Sequence, residues 1–366
     1  MKIYIDNTIR YLTGGLFIFS GLIKLNDPIG TKIKLEEYFD VFSVDFASFF
    51  EIFVPAALPI GMFLVILEIV LGVAVLINYR MKITAWVLLV LILFFTFLTF
   101  YSAYFDKVTD CGCFGDAIPL TPWQSFGKDV ILVFLIAHLF WYRNTYQEVF
   151  KGQIGNITIA SLTVISLIVG IYAIEHLPYI DFRPYKVGAN IPAQMVPDEQ
   201  PIIEYTFEKD GEEITSLKYL PAEDGYTYKE SRVVNEDKIL PKIQDLQIVS
   251  TDGEDYTSTA FEETMVIIVM QDTKTLRTSG MKALSELISS LDGKVKTVIF
   301  TAIAEAEIES IRHEYQLAAP YYFVDGTVLK AMIRSNPGIM LWYQGNVMGK
   351  WHINDIPDAG EFAGLL

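Results

Sequence analysis

Five apolar stretches of this chain are candidate membrane helices, and that pattern restricts the fold more than any other feature. A bilayer core needs about 20 consecutive apolar residues at the helical rise. The candidates run from Thr8 to Leu25, Ile52 to Ile77, Ile83 to Phe105, Asp129 to Tyr142 and Ile157 to Ile174. Pro55 and Pro59 stand near the start of the second. The fourth is short and is preceded by Lys128. The first has Lys2 and Arg10 ahead of its apolar run, as a secretory signal has. Its end, Gly21-Leu22-Ile23-Lys24-Leu25, offers no small-x-small cleavage site, so a retained helix is expected.

Lysine and arginine placement sets the expected orientation. Arg80 and Lys82 fall in the short link after the second segment, Arg143 and Lys151 follow the fourth, and Lys2 and Arg10 mark the N-terminus. The longer loops, 26–51 and 106–128, are more acidic, although they hold Lys32, Lys34, Lys107 and Lys128. This bias puts the N-terminus in the cytoplasm. Five crossings then put loop 106–128 and the C-terminal half outside, in the periplasm of a bacterial inner-membrane protein. Trp123, Trp141, Tyr101, Tyr104 and Tyr142 at segment ends are expected in an interfacial belt.

Composition changes abruptly at Glu175. Residues 175–366 hold 31 acidic and 17 basic residues of the chain's 44 and 28. So acidic a half argues against nucleic acid and against docking on anionic headgroups. A solvated face accounts for it more simply than an acidic binding patch. His176 to Pro201 reads as a Pro-rich connector, and residues 202–240 as short strands with a hairpin turn at Lys209-Asp210-Gly211-Glu212. From Leu246 the order is strand (Met265–Met270), helix (Leu276–Leu291), strand (Val295–Phe300), helix (Ala304–Tyr315), strand (Tyr321–Val324) and short helix (Val328–Arg334). A hairpin, Ile339–Tyr343 and Val347–Trp351, closes it. The expected fold class is an α-helical membrane bundle of about five spans plus a C-terminal α/β domain. The expected boundaries are a four-helix domain 1–150, a fifth membrane helix 151–180, a connector 181–245 and the α/β domain 246–366.

Both cysteines of the chain, Cys111 and Cys113, stand one residue apart in Asp110-Cys111-Gly112-Cys113-Phe114-Gly115-Asp116. Thiol chemistry needs a thiolate with access to a partner sulfur. A Cys-x-Cys pair can close a small ring, and Gly112 and Gly115 supply backbone freedom for it. The alternatives are two small residues buried at a helix edge, or half of a metal site with two ligands unfilled. Asp110 and Asp116 disfavour a thiolate. Glu68 lies inside an apolar segment, where a carboxylate is costly unless paired or protonated. Lys24 and Asp129, each near a helix end, are its candidate partners. A polar clamp between helices and a proton-transfer group both fit it. Pro337, in Ser335-Asn336-Pro337-Gly338, is either a cis-proline shaping a groove or an ordinary turn proline. No cofactor motif is evident, and a quinone partner is compatible with the chain.

Phe19-Ser20-Gly21-Leu22-Ile23-Lys24-Leu25, Leu67-Glu68-Ile69-Val70-Leu71-Gly72 and Cys111-Gly112-Cys113-Phe114-Gly115 resemble the DoxX family, in its MauE (methylamine-utilisation) branch, over roughly residues 1–145. The resemblance implies help in maturing disulfide-rich periplasmic enzymes, with a redox role for Cys111 and Cys113. Nothing in the sequence points to an amine substrate. Residues 246–366 resemble a thioredoxin-like domain, with Pro337 where that fold keeps its cis-proline and Gly345–Trp351 as its last hairpin. The stretch where its Cys-x-x-Cys would stand reads Thr273-Lys274-Thr275-Leu276-Arg277-Thr278, without cysteine. Two functions follow as expectations. One is a membrane thiol/disulfide protein acting on an extracytoplasmic client through the Cys-Gly-Cys pair. The other is a non-catalytic assembly subunit of an envelope complex whose tail domain binds a partner. Transport around Glu68 is a weaker third, for want of a visible repeat.

Overall fold

The computed structural model describes residues 2–108, 112, 114–150, 153–235 and 239–365. The chain forms two compact units, Met1–Arg183 and Pro184–Leu366.

The first unit is helical. Its elements are α1 (Lys2–Asn26), α2 (Pro28–Asp45), α3 (Ala57–Leu76), α4 (Met81–Phe105), α5 (Pro122–Trp141) and α6 (Gln153–Glu175), with a 3-10 stretch at Ser48–Ala56 leading into α3. Among the described residues, four helical stretches are long and apolar enough to cross a membrane: Ser48–Leu76, Met81–Phe105, Pro122–Trp141 and Gln153–Glu175. The first sequence candidate is helical but is not one of these four, since Arg10 and Lys24 interrupt its apolar run. It nevertheless runs from end to end of the bundle. Arg10 donates to Asn78 in the α3–α4 turn (2.8 Å), and the Asn26 amide makes two hydrogen bonds to the backbone of Ile180, beyond α6 (2.8 and 2.9 Å).

Small residues let α1 and α3 approach closely, as membrane helices do where lipid supplies no hydrophobic drive. A methyl group on Gly14 would come within 2.7 Å of Leu76, and one on Gly72 within 2.8 Å of the Gly14 carbonyl. Leu71, Val75, Leu88, Ile92, Leu132, Ile136 and Leu139 fill the space between α3, α4 and α5.

Three sequence readings need correction here. Loop 26–51 contains α2, started by Pro28 at its first turn and by the Asp27 carboxylate accepting from Gly30 N–H. Helix α5 starts seven residues before the apolar run, because Thr121 and Gln124 form a reciprocal capping box ahead of it. Tyr101 is not in an interfacial belt. It is buried against Phe42 and its hydroxyl donates to Asp45, whereas Trp123, Trp141 and Tyr104 are exposed.

The second unit holds two sheets. The hairpin turn at Lys209–Glu212 joins β1 (Ile203–Lys209) and β2 (Glu212–Ser216), and β3 (Thr227–Val233) pairs with the other edge of β1. Phe207 is buried there among Tyr205, Tyr219, Tyr226 and Tyr228. The larger sheet has the order β6-β5-β4-β7-β8, from β4 (Thr264–Met270), β5 (Lys296–Thr301), β6 (Tyr321–Phe323), β7 (Gly338–Tyr343) and β8 (Asn346–His352). Strands β4, β5 and β6 are parallel, and β7 and β8 antiparallel to their neighbours. Central β4, Met-Val-Ile-Ile-Val-Met at 265–270, is fully buried, as a strand covered on both faces must be. Helix Met281–Leu291 lays Leu284, Leu287, Ile288 and Leu291 on one face. The stretch read as a patternless connector is partly built into this sheet's surroundings. Gly188 donates to the Val347 carbonyl and Ile191 to that of Gly345, so residues 188–191 lie along the β7–β8 turn.

Candidate functional site

Cys111 and Cys113 lie outside the described residues, as does Asp110. Of that loop, residues 106–108, 112 and 114–121 are described, with the helices around them. Gly112 has φ +63°, a conformation that favours glycine, and its carbonyl accepts from Gly115 N–H. A methyl group on Gly112 would meet Lys34 Cγ of α2 at 3.3 Å. Phe114 is buried, its ring 5.5 Å from that of Phe19 on α1 and 5.4 Å from the Lys128 ammonium on α5. The space over Gly115 is bounded by Ile23 of α1. The loop between α4 and α5 is therefore gripped by three helices.

Behind it lie two buried ion pairs. Glu68, 2% exposed on α3, takes the Lys24 ammonium at 2.6 Å and the Ser20 hydroxyl at 3.0 Å. Ser20 and Lys24 are one turn apart on α1, so one helix face supplies both partners. Lys24 also sits over the Phe95 ring at 5.1 Å. One turn further along α4, Thr99 donates to Asp129 (3.0 Å), and Asp129, 1% exposed, pairs with Lys128 at 2.5 Å. A carboxylate taken out of water is tolerated only when paired and hydrogen-bonded, and both of these are.

The structure thus brings Lys24 to Glu68. Asp129 instead belongs to a second pair, with Lys128. The sequence reading missed Ser20, Thr99, Lys34 and Lys128 as members of this cluster. Ser20 was detectable, four residues before Lys24 on a helix. Lys128 adjoins Asp129 in the sequence, and Thr99 and Lys34 come to the cluster only through the packing of α4 and α2. The set can hold two charges of each sign in a low-dielectric interior and bring one cation to the cysteine-bearing loop.

In the second unit, the Asn336–Pro337 bond is cis. Asn336 organises the loop that follows β4. Its Oδ1 accepts from Gln271 N–H (3.0 Å), and its Nδ2 donates to the Asp272 carbonyl (2.8 Å) and the Thr275 hydroxyl (2.9 Å). Its own carbonyl accepts from Arg277 N–H (2.8 Å). Four neutral hydrogen bonds fix the segment 271–277.

Comparison with known proteins places the first unit. Residues 2–142 match the family described as Methylamine utilisation protein MauE. A stretch of 173 residues is 32% identical to Protein TlpB of Flavobacterium psychrophilum, over 45% of this chain and 44% of that protein. The chain therefore spans less than half the length of this curated relative. No solved structure matches the chain. The apolar helices and the MauE match together make this a multi-pass membrane protein with a MauE-like domain, followed by an α/β unit.

Proposed function

We propose that the chain is a thiol/disulfide redox or maturation protein of a bacterial inner membrane, acting on extracytoplasmic protein clients through Cys111 and Cys113. One observation carries this reading. The chain's two cysteines fall either side of Gly112, in a loop that α1, α2 and α5 all grip. The MauE match lends support. In this reading α1 is a fifth crossing, the N-terminus is cytoplasmic, and the cysteine loop and the α/β unit are periplasmic. The end-to-end course of α1 favours five crossings.

In exchange, a thiolate of the pair attacks a client disulfide and a mixed disulfide forms. The second thiol displaces the client's sulfur as the pair closes, and the client leaves as a dithiol carrying the protons. The reverse sequence oxidises a client. The test is a thiol-trapping titration of the purified protein across redox buffers. Reversible interconversion at about −120 to −270 mV is expected. Thiols reduced throughout, or a bond resisting reduction below about −300 mV, would overturn the reading.

A second reading rests on the α/β unit. On the reading of this unit as thioredoxin-like, segment 271–277 stands where the dithiol would be, yet it holds no cysteine and is tied down by Asn336. Such a unit binds a partner without dithiol chemistry of its own, whether it presents a client or anchors an envelope complex. A stoichiometric partner that co-purifies equally well with the Cys111→Ser protein would favour the anchoring role.

A further inference from the structure

Helix α4 turns a stripe of large apolar side chains outward: Trp86, Val90 and Phe94, each one turn from the next and 53%, 62% and 44% exposed. With Val87 and Leu91 beside them and Leu67 of α3 opposite, they line a wholly apolar groove of about 370 Å³. We propose that this groove is a binding site for an anionic phospholipid, one acyl chain lying along α4 and the phosphate held at the mouth by Lys82 and Arg143. The inference goes beyond the proposed function and takes from it only the leaflet, which is the cytoplasmic one in that orientation.

Two cations stand where the groove reaches the end of the bundle. Lys82, in the first turn of α4, is exposed and lies one turn before Trp86 on the same stripe. Arg143 follows the last turn of α5 at the same end. The Phe140 ring of α5 meets Trp86 edge-on, with centroids 4.6 Å apart and planes at 82°. The Arg143 guanidinium lies over that same Phe140 ring, 4.0 Å from its centroid, and donates to the Phe140 carbonyl at 2.6 Å. One aromatic pair therefore walls the groove and brings the second cation to it. From Lys82 to Phe94 the helix rises about 18 Å, against roughly 15 Å for half of a bilayer core. The groove is as deep as one leaflet, the reach of one lipid tail below a headgroup at Lys82. Trp86 sits near that headgroup level, where membrane proteins favour this ring.

A flat lipid-facing surface favours no lipid over its neighbours. Here a concave wall is already fixed by the Trp86–Phe140 contact, so a chain is received without first ordering side chains. The headgroup is then chosen by charge. The acids of this end have partners of their own. Asp6 pairs with His138 at 2.6 Å, and the Glu148 carboxylate accepts from Arg80 N–H at 3.2 Å. The Arg80 guanidinium turns the other way, donating to Asn156 of α6 at 3.3 Å. Each lysine or arginine beside an anionic membrane surface strengthens the attraction by about fivefold. Lys82 and Arg143 therefore suit a phosphodiester with net negative charge better than a zwitterionic headgroup of the same shape.

The experiment is a native mass spectrometric titration of the full-length protein in detergent micelles, with dioleoyl phosphatidylglycerol or dioleoyl phosphatidylcholine as probe. The readout is affinity for the first lipid retained. Wild type should prefer phosphatidylglycerol by at least about fivefold. Lys82→Gln should weaken phosphatidylglycerol by about fivefold and leave phosphatidylcholine unchanged, and Lys82→Arg should keep the wild-type preference. Val90→Trp and Val90→Phe fill the groove from a side chain that already faces outward, and should weaken both lipids at an unchanged melting temperature. Equal affinity of wild type for the two lipids would overturn the inference. So would an unchanged preference in Lys82→Gln, the pattern of a ligand held by its apolar chain alone. Full retention of both lipids by the two Val90 variants would place the bound lipid elsewhere and overturn it too. The titration is made with the thiols reduced, so its failure leaves the redox reading standing, and failure of the redox titration leaves this site standing.

Discussion

The two units each fix a loop that follows an apolar element, and they do it with opposite chemistry. In the helical unit, the loop after α4 is backed by two ion pairs whose carboxylates are almost wholly buried. In the α/β unit, the loop after β4 is held by neutral hydrogen bonds to one asparagine. The first arrangement is costly to assemble, because each charge leaves water, and severe to break, because breaking it strands the other charge. The second involves no stranded charge. An intramembrane ionisable group is by default a candidate for a functional site, which makes these two pairs the places to test. The contrast accords with the function proposed above, in which chemistry belongs to the helical unit and recognition to the α/β unit.

The largest expected effect comes from splitting a buried pair. Glu68→Leu leaves the Lys24 ammonium without its carboxylate at 2.6 Å, and should destabilise the helical unit by about 3–5 kcal/mol. The double variant Lys24→Met, Glu68→Leu should recover most of that loss, since it removes both charges. Unfolding in mixed micelles measures both. A single variant as stable as the double one would break the contrast between the units. Next comes Asn336→Ala. It removes one acceptor and two donor interactions from segment 271–277, at about 0.5–1.5 kcal/mol for each of these partly buried hydrogen bonds. Amide hydrogen exchange should rise at Gln271 and leave the core strand β4 protected. Exchange rising across all of β4 would mean that the asparagine supports the sheet rather than the loop.

Much of the fold was legible in the sequence because periodicity survives without partners. The fully apolar run of β4, the helix face of Leu284, Leu287, Ile288 and Leu291, and the turn at Lys209–Glu212 are local patterns, and each became the expected element. Helix α2 was not legible. Its apolar residues show little one-sided pattern, and its start depends on Asp27 and Pro28, read as loop residues. In the cluster, the Lys24–Glu68 pair could be anticipated because an intramembrane carboxylate demands a cation. Asp129 was assigned to the wrong partner, because its true partner is the adjacent Lys128 and its second bond comes from Thr99, thirty residues away. Tyr101 at a helix end looked interfacial and is internal, since Phe42 and Asp45 on the unforeseen α2 cover it.

The smallest expected effect tests whether charge matters at all in the α/β unit. On its surface Glu263 pairs with Lys296 at 2.6 Å and accepts from the Tyr256 hydroxyl. Partial burial raises the Glu263 carboxyl, but hydrogen bonds from Lys296 and Tyr256 and the charge of Lys296 outweigh it and hold it below the usual range. Burial, with the hydrogen bond to Glu263, pushes Tyr256 up to about 12. A carboxyl lowered in the folded state contributes stability above its unfolded value of about 4.3, and that contribution is lost as the pH falls through the folded value. Lys296→Met should therefore lower the melting temperature slightly at pH 7, by what a half-exposed pair contributes, under about 1 kcal/mol. The difference from wild type should shrink as the pH falls through the lowered folded value, below which Glu263 is protonated in both. A difference that persists unchanged at low pH would show that the lysine acts on Tyr256, whose ring its ammonium overlies at 4.9 Å, rather than through its pair with Glu263.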